Sequence, residues 1–330
     1  MARAVFLHSG FRSGSTWFWS RFRACADAYA YCEPFNVRLA ALTPGEVINN
    51  HPDAWASGHP KLTQPYFAEY APLLKREGGI VDFDPRFAVE SYFQIEADPT
   101  TERYIATLKD LARRNSKTPV LGFCGTLGRV DWFKRFADGI NVITWRNPRD
   151  QWCSTHNQLV DEGNIHFEVH YLLVAYVGRL NSQFAPLLEG LPPIPSPDSI
   201  SADMPLFARP EGAADRFRVF LRVFLIDTLL SVQAADTVVD LDLLSVFATY
   251  RREAKDQLRE QTGLKSLSFD DCRLPNHRFR ADADYASLLS EGLAWLDGLA
   301  GSPWAKTFET SLPFARGRLA DLIASEAAGA

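Results

Sequence analysis

The sequence predicts an α/β protein in which a parallel sheet is flanked by helices. Short apolar segments alternate with helical patterns along the chain, which is the order that builds parallel sheets. Two anion-binding motifs each follow directly after an apolar segment, as expected where ligands bind at the carboxyl ends of parallel strands. The 330 residues are 46% apolar, which is enough for one large domain with a substantial core.

Five apolar segments are predicted to be strands, because each is short and bounded by turn residues. They are Val5–His8, Gly79–Phe83, Val120–Cys124, Asn141–Trp145 and Thr237–Leu241. Helical patterns separate most of them, at Thr16–Tyr29, Thr101–Asn115, Val130–Ala137 and Trp152–Glu162. Phe217–Ala235 is predicted to be a buried helix and not a membrane span, because charged residues interrupt its apolar run.

We expect a single domain over residues 1–330 with two insertions, at about residues 44–74 and 191–212. The first insertion is rich in proline, histidine and aromatic residues, and the second contains six prolines. Such loops on a rigid sheet either carry substrate specificity or are plain surface insertions. The C-terminal part, from Tyr285, has a helical pattern and ends in a small-residue tail at about 320–330 that need not be ordered.

Charge and cysteine content argue against several classes of protein. The formal net charge is −5 and the basic residues form no run, so a general nucleic-acid binder is not expected. The five cysteines are scattered without metal-ligand spacing, which predicts reduced thiols and no metal site; Cys124 and Cys153 are expected to pack in the core. With no room for a secretory signal before the first strand, we expect a cytoplasmic protein of undetermined oligomeric state.

A glycine-containing loop follows the first predicted strand. Gly10 and Gly14 allow a tight turn before a helix that starts near Ser15 and Thr16. The free backbone N–H groups of such a turn and the positive end of the helix dipole attract a phosphate. The triphosphate loop G-x-x-x-x-G-K-[ST] would place its lysine at Ser15. That lysine is absent and the neighbouring cation is Arg12, so the loop favours one phosphate with a cation beside its ester oxygen.

A second motif lies at the end of the predicted strand Asn141–Trp145. Arg146 would end this strand, and Pro148 suits the first turn of the helix that follows. Ser154 would lie about two turns into that helix, so both side chains could face one phosphate at the sheet edge. Arginine suits such a site because its planar guanidinium group can bond two phosphate oxygens.

Together the motifs resemble those of the sulfotransferases that use 3′-phosphoadenosine 5′-phosphosulfate (PAPS). Arg12-Ser-Gly-Ser-Thr-Trp17 is similar to their 5′-phosphosulfate loop, and Arg146 and Ser154 have the spacing of their 3′-phosphate anchors. The resemblance covers residues 3–160 well and 236–282 loosely. It implies a P-loop-NTPase-like sulfotransferase fold. It also implies sulfuryl transfer from PAPS, without a metal, to a hydroxyl of a carbohydrate, glycolipid or small natural product, which releases adenosine 3′,5′-bisphosphate.

The resemblance also implies roles for individual residues. Arg12 would contact the oxygen that bridges phosphate and sulfate, while the 5′-phosphate would be bound by Ser13, Gly14, Ser15 and Thr16. Trp17 matches a tryptophan of the adenine pocket, and it could equally be a core aromatic residue. Glu33, in Tyr31-Cys-Glu-Pro-Phe-Asn36, is the candidate general base, because burial beside the acceptor hydroxyl could raise its pKa. The alternative is a glutamate that caps or salt-bridges its loop.

The chain also departs from the family pattern. Hormone-type sulfotransferases take a histidine base from a K-x-H segment on the third strand, and Val120–Thr126 contains neither residue. Candidates for a second cation are Arg129, Lys61 and Arg280, and His59 is a second candidate base. Asn276, His277 and Arg278 could form a flap over the nucleotide. Two other functions stay open, a P-loop-type small-molecule kinase and a non-catalytic nucleotide-binding module.

Overall fold

A five-stranded, all-parallel sheet forms the centre of the computed structural model, which describes residues 3–49, 62–194 and 212–329. The strands are β1 (Ala4–Ser9), β2 (Ala28–Cys32), β3 (Thr118–Cys124), β4 (Gly139–Trp145) and β5 (Thr237–Asp240), in the spatial order β2-β3-β1-β4-β5. Every residue of β1 and β4 is buried, as expected at the centre of a sheet covered on both faces. The predicted α/β class with a parallel sheet flanked by helices is therefore confirmed.

The helices of the described residues pack in two apolar clusters. Their bounds are α1 (Ser15–Arg23), α2 (Pro44–Asn49), α3 (Pro99–Arg114), α4 (Val130–Phe136), α5 (Pro148–Glu162), α6 (His166–Leu180), α7 (Ala213–Ala234), α8 (Leu241–Val246), α9 (Ala248–Thr262), α10 (Tyr285–Ala300), α11 (Trp304–Thr307) and α12 (Ser311–Gly329). The first cluster joins the strands to α1, α3 and α9, and the second joins α6, α7, α10 and α12. Among these described helices, none is both long and apolar enough to cross a membrane.

Four of the five predicted strands are present as β1, β3, β4 and β5. The last of them ends at Asp240, one residue before its predicted end, because the Asp240 side chain accepts a hydrogen bond from the N–H of Leu243 at 2.9 Å and caps α8. The predicted buried helix corresponds to α7. The small-residue tail belongs to α12, which extends to Gly329. Residues 50–61 and 195–211, in the two insertions, lie outside the described residues, and so do His59 and Lys61.

The predicted strand Gly79–Phe83 is wrong. Apart from one antiparallel bridge between Leu74 and Ile80, this segment forms turns. Gly79 and Asp82 have φ values of 77° and 61°, which an extended strand cannot accommodate. A Cβ atom at Gly79 would also lie 2.2 Å from the carbonyl oxygen of Ala40, so the segment packs tightly as a turn.

The missing strand is β2, where the sequence predicts the end of a helix over Thr16–Tyr29. α1 ends at Arg23, and β2 pairs with β3 from Ala28 opposite Thr118 to Cys32 opposite Gly122. Its alternating alanine and tyrosine residues suit a helix as well as a strand, so only the long-range pairing decides between them. This correction matters for the site, because the residue after β2 is Glu33.

Candidate functional site

The loop from Gly10 to Gly14 joins the carboxyl end of β1 to α1; it is called the phosphate loop below. Arg12 and Gly14 both have left-handed backbones, with φ values of 61° and 95°, and Ser13 Oγ donates to the carbonyl oxygen of Gly10 at 2.7 Å. The first N–H groups of α1, at Ser15 and beyond, have no preceding helical carbonyl to bond, so they are available to an anion. Gly14 thus has the left-handed backbone that suits a tight turn, whereas Gly10 has no positive φ and the other left-handed residue is Arg12.

The two anion-binding motifs meet at this loop. Arg12 Nε donates to Ser154 Oγ at 2.9 Å, and Arg146 Nη1 donates to the carbonyl oxygen of Arg12 at 3.1 Å. They approach each other because β1 and β4 are neighbouring parallel strands whose carboxyl ends share one edge. Burial and the nearby Arg146 together lower the pKa of Arg12. A bound anion would stabilise two cations that lie this close together.

Arg146 is buried, with 3% of its side chain exposed. Its Nη2 atom donates to the carbonyl oxygen of Pro275 at 2.7 Å, and Asp150 Oδ2 lies 3.6 Å from the same nitrogen. Within the described residues its Nε atom has no hydrogen-bond partner, and the Asp242 carboxylate is 4.0 Å from it. A buried N–H group without a partner costs about 1–3 kcal/mol, so this guanidinium has a donor that a ligand oxygen could satisfy.

Ser154 is positioned by α5. This helix begins at Pro148 because the Asn147 side chain caps it by accepting a hydrogen bond from the N–H of Asp150 at 2.8 Å. The N–H of Asn147 donates in turn to Asp242 Oδ2 at 2.7 Å. The start of α5 is therefore fixed to the segment after β5, which helps to hold Ser154 beside Arg12.

The segment Leu274–His277, called the strap below, lies across the phosphate loop. A Cβ atom at Gly14 would be 3.2 Å from Leu274 Cδ2, so the strap approaches the loop closely. Asn276 Oδ1 accepts from Arg149 Nη2 at 2.9 Å, and the N–H of His277 donates to Asp150 Oδ1 at 3.2 Å. Two residues that the sequence suggests as a flap thus lie against the start of α5.

Glu33 directly follows β2, at the same edge of the sheet. Its backbone is left-handed, with a φ of 43°, and its N–H donates to the carbonyl oxygen of Gly122 at 2.7 Å. Asn36 Nδ2 donates to Glu33 Oε2 at 2.6 Å, and the nearby Cys124 Sγ donates to Ser15 Oγ at 3.0 Å. Burial raises the pKa of Glu33, and the hydrogen bond from Asn36 opposes that rise. A carboxyl group with a raised pKa at a strand end is suited to accept a proton.

Glu33 shares one small cavity with the start of α1. The cavity lies at the ends of β1, β2 and β3, and it is lined by Leu7, Ser9, Ser15, Thr16, Trp19, Cys32, Glu33, Gly122, Phe123 and Cys124. Tyr66 packs near it, with its ring stacked on that of Trp19 at 6.4 Å. The Glu33 carboxyl group and two of the three hydroxyl residues of the first anion-binding motif, Ser15 and Thr16, therefore line the same cavity.

The other predicted residues have different surroundings. Trp17 is half-buried against the core, with its ring 6.1 Å from that of Phe269. Arg280 bonds Asn157 and Asp161 near the surface. Arg129 is fully buried beneath the Phe35 ring at 4.5 Å and donates to the carbonyl oxygen of Phe87, and burial lowers its pKa to about 9.

Three groups of the site are not singled out from the sequence, namely the carboxylates of Asp150 and Asp242 and the backbone carbonyl of Pro275. Asp150 could have been suspected, because it lies in the first turn of the helix that follows Arg146. Nothing in the sequence pairs Asp242 or Pro275 with Arg146, since these contacts depend on the tertiary fold. Among the described residues, no cluster of three or more histidine, cysteine, aspartate or glutamate side chains could hold a metal ion.

Comparisons with known proteins add little to this description. No family model matches the chain, and no curated protein matches it. Among solved structures it is similar to a sulfotransferase from Alicyclobacillus acidocaldarius, with 13% identity over 91% of this chain and 97% of that chain, at a TM-score of 0.31. So distant a likeness assigns neither a family nor an activity to this protein.

Proposed function

We propose that this protein is a sulfotransferase that moves a sulfuryl group from PAPS to a hydroxyl group of an acceptor. The observation that carries the proposal is the junction of the two motifs, where Arg12 bonds Ser154 and Arg146 bonds the backbone of Arg12. Two close guanidinium groups beside a helix N-terminus suit a ligand with two separate phosphate groups. PAPS is such a ligand, and a nucleoside triphosphate is not.

Each motif takes one end of the donor in this proposal. The N–H groups at the start of α1 and the side chains of Ser13, Ser15 and Thr16 bind the 5′-phosphosulfate, and Trp17 contributes to the adenine pocket. Arg146 and Ser154 bind the 3′-phosphate. Arg12 lies beside the bridging oxygen and neutralises the charge that grows there as the sulfur–oxygen bond breaks. The Arg146 Nε atom, which has no hydrogen-bond partner among the described residues, supports its role.

Glu33 is the general base in this proposal. It takes the proton of the acceptor hydroxyl while the acceptor oxygen bonds to sulfur and the bond from sulfur to the phosphate oxygen breaks. The products are the sulfated acceptor and adenosine 3′,5′-bisphosphate, with the proton on Glu33. Its raised pKa and the cavity that it shares with Ser15 and Thr16 support this role. The acceptor belongs to the hydroxyl-bearing carbohydrates, glycolipids or small natural products.

Thermal shift measurements with four nucleotides test the donor. Adenosine 3′,5′-bisphosphate at about 100 times its Kd should raise the Tm by roughly 5 °C. Adenosine 5′-monophosphate is the matched control, because it lacks only the 3′-phosphate, and it should stabilise far less. Stronger stabilisation by ATP or GTP would contradict the proposal and favour a kinase. Transfer of ³⁵S from labelled PAPS to a panel of acceptors then tests the reaction, and bisphosphate binding without any labelled product would favour a non-catalytic module.

A further inference from the structure

Three successive carbonyl groups of the phosphate loop each accept a hydrogen bond from a side chain. The pairs, from carbonyl to donor, are Gly10 with Ser13 Oγ at 2.7 Å, Phe11 with the Tyr171 hydroxyl group at 3.3 Å, and Arg12 with Arg146 Nη1 at 3.1 Å. The first and the third donor belong to the two anion-binding motifs. Tyr171 does not, because it lies on α6, 160 residues beyond Phe11. The loop is therefore held in part by a helix outside both motifs.

We propose that Tyr171 is a positioning residue that holds the left-handed turn at Arg12 and so aims the Arg12 guanidinium group at the sulfuryl donor. The inference rests on the proposed function, because that function places Arg12 beside the oxygen that bridges phosphate and sulfate. Tyr171 itself touches neither PAPS nor the acceptor in this scheme; it acts through the backbone of the turn.

The turn at Arg12 needs such support because its backbone is unfavourable for arginine. A φ of 61° costs conformational free energy in a residue with a Cβ atom, so it persists only where neighbouring groups hold it. The conformation depends on the directions of the two planar peptide groups before and after the Cα atom. The hydrogen bond from Tyr171 holds the first of these groups, and the one from Arg146 holds the second. Loss of the Tyr171 hydroxyl group would release the first.

The phosphate loop passes close to Tyr171 at Gly10, which has no side chain. A Cβ atom at Gly10 would lie 4.0 Å from the Tyr171 hydroxyl oxygen and 3.1 Å from Gln151 Oε1. Both of these side chains are buried, and they line one cavity with Gly10. Burial and the nearby Asp227 raise the pKa of Tyr171, so its hydroxyl group keeps the proton and can donate it to the loop.

The same helix also contacts the side chains of the turn. The Phe11 ring packs against the His170 ring, with 4.4 Å between the ring centres. The guanidinium carbon of Arg12 lies 4.9 Å from the centre of the Phe167 ring, while its Nε atom bonds Ser154 of α5. Both the backbone and the side chains of the turn are thus held by α6.

Tyr171→Phe tests the role of the hydroxyl group, since it leaves the ring in place. In sulfuryl transfer from PAPS, kcat should fall about 10-fold, the size expected for one hydrogen bond. The Kd of the bisphosphate should stay within about threefold, because Arg12 acts on charge that develops only as the bond breaks. Tyr176→Phe is the matched control, because it removes a hydroxyl group from the same helix, where the ring packs against the second apolar cluster. An unchanged kcat in Tyr171→Phe, or an equal loss in Tyr176→Phe, overturns the proposal.

A double substitution tests whether Tyr171 acts through Arg12. In the Arg12→Ala background, Tyr171→Phe should lower kcat no further, because the guanidinium group that it aims is absent. A second loss of about 10-fold in this background would place the effect of Tyr171 elsewhere and overturn the proposal.

A third measurement does not depend on turnover. The Nε–H signal of Arg12 can be assigned by ¹⁵N NMR with Arg12→Lys, and its hydrogen bond to Ser154 slows exchange of this proton with water. Exchange should be about 10-fold faster in Tyr171→Phe and unchanged in Tyr176→Phe, and equal rates in the wild type and Tyr171→Phe would refute the positioning. If the wild-type protein transfers no sulfuryl group, the catalytic consequence is refuted with the proposed function, whereas faster exchange still supports the role of Tyr171 in holding Arg12.

Discussion

Removal of the Arg146 guanidinium should weaken binding of adenosine 3′,5′-bisphosphate without unfolding the protein. The Arg146→Ala variant should fold because the buried Asp150 keeps its other donors, the side chains of Asn147 and Arg149 and the N–H of His277. Besides a buried cation with an N–H group that lacks a hydrogen-bond partner among the described residues, the variant loses the bonds to the carbonyl oxygens of Arg12 and Pro275, so the free energy of unfolding should fall by about 1–3 kcal/mol. We therefore expect a loss of affinity in a protein that is less stable but still folds.

The size of the loss follows from the bonds that Arg146 makes. Nη1 and Nη2 each bond a backbone carbonyl oxygen, at Arg12 and Pro275, and each keeps a second N–H group for a charge-assisted bond to a phosphate oxygen. The Nε atom would gain a bond that it lacks among the described residues. Together these changes are worth about 3 kcal/mol, which corresponds to a Kd for the bisphosphate weakened by about 100-fold.

Isothermal titration calorimetry with the bisphosphate measures this change. Arg149→Ala is the matched control, because it removes the same charge three residues away, where the side chain faces Asp150 and Glu326 of α12. The control should bind within about threefold of the wild type, since long-range charge effects are screened by salt. Arg146→Lys should be intermediate, because lysine keeps the charge but lacks the planar fork. A folded Arg146→Ala variant that binds as tightly as the wild type would refute the reasoning.

Three further tests address other parts of the molecule. Glu33→Gln should lower turnover by about 10²–10³-fold and leave the bisphosphate Kd within about threefold, and near-normal turnover would exclude Glu33 as the base. Gly14→Ala and Gly163→Ala both place a Cβ atom on a backbone with positive φ, of 95° and 67°. Only the Cβ atom at position 14 would contact the strap, whereas nothing lies within 4 Å of the one at position 163. Calorimetry should therefore show weaker bisphosphate binding in Gly14→Ala and unchanged binding in the control, Gly163→Ala. Burial raises the pKa of Asp227 to about 8, with Tyr92 as its partner, so between about pH 4 and 8 the folded protein keeps a proton that the unfolded chain releases. Stability should therefore fall as pH rises through this window, and Asp227→Asn should flatten the dependence of Tm on pH; parallel profiles would contradict the assignment.

Much of the fold can be predicted from the sequence because β1, β3 and β4 are mostly apolar segments between turns. The strand β2 could not be predicted in this way, because the sequence Ala-Tyr-Ala-Tyr-Cys has no β-branched residue and its pairing with β3 is a long-range contact. The strand predicted at Gly79–Phe83 is absent for a different reason. Its apolar residues suit a strand, but the positive φ of Gly79 and Asp82 is set by tertiary packing.

The candidate site is predictable to the extent that it lies at strand ends. Arg12 and Arg146 both follow predicted strands, and parallel strands bring their carboxyl ends to one edge of the sheet, so their approach can be expected from the strand assignment. The position of Glu33 cannot, because it follows β2, which the sequence does not predict. The contacts of Cys124 cannot, because they depend on the exact register that sets Cys124 beside Ser9 at the end of β1. The position of the strap over Gly14 cannot be predicted either, because no local sequence pattern indicates it.

The two backbone carbonyls that hold Arg146 have a consequence for the thermodynamics of recognition. A free arginine side chain loses about 2 kcal/mol of rotamer entropy when it is immobilised. Here the folded protein fixes the guanidinium group before any ligand arrives, because Arg12 and Pro275 bond two of its nitrogens. That entropy is lost on folding and not on association, so an anion that binds here would meet a preorganised guanidinium group. Affinity at the proposed site would therefore be gained at the expense of the protein's own conformational stability.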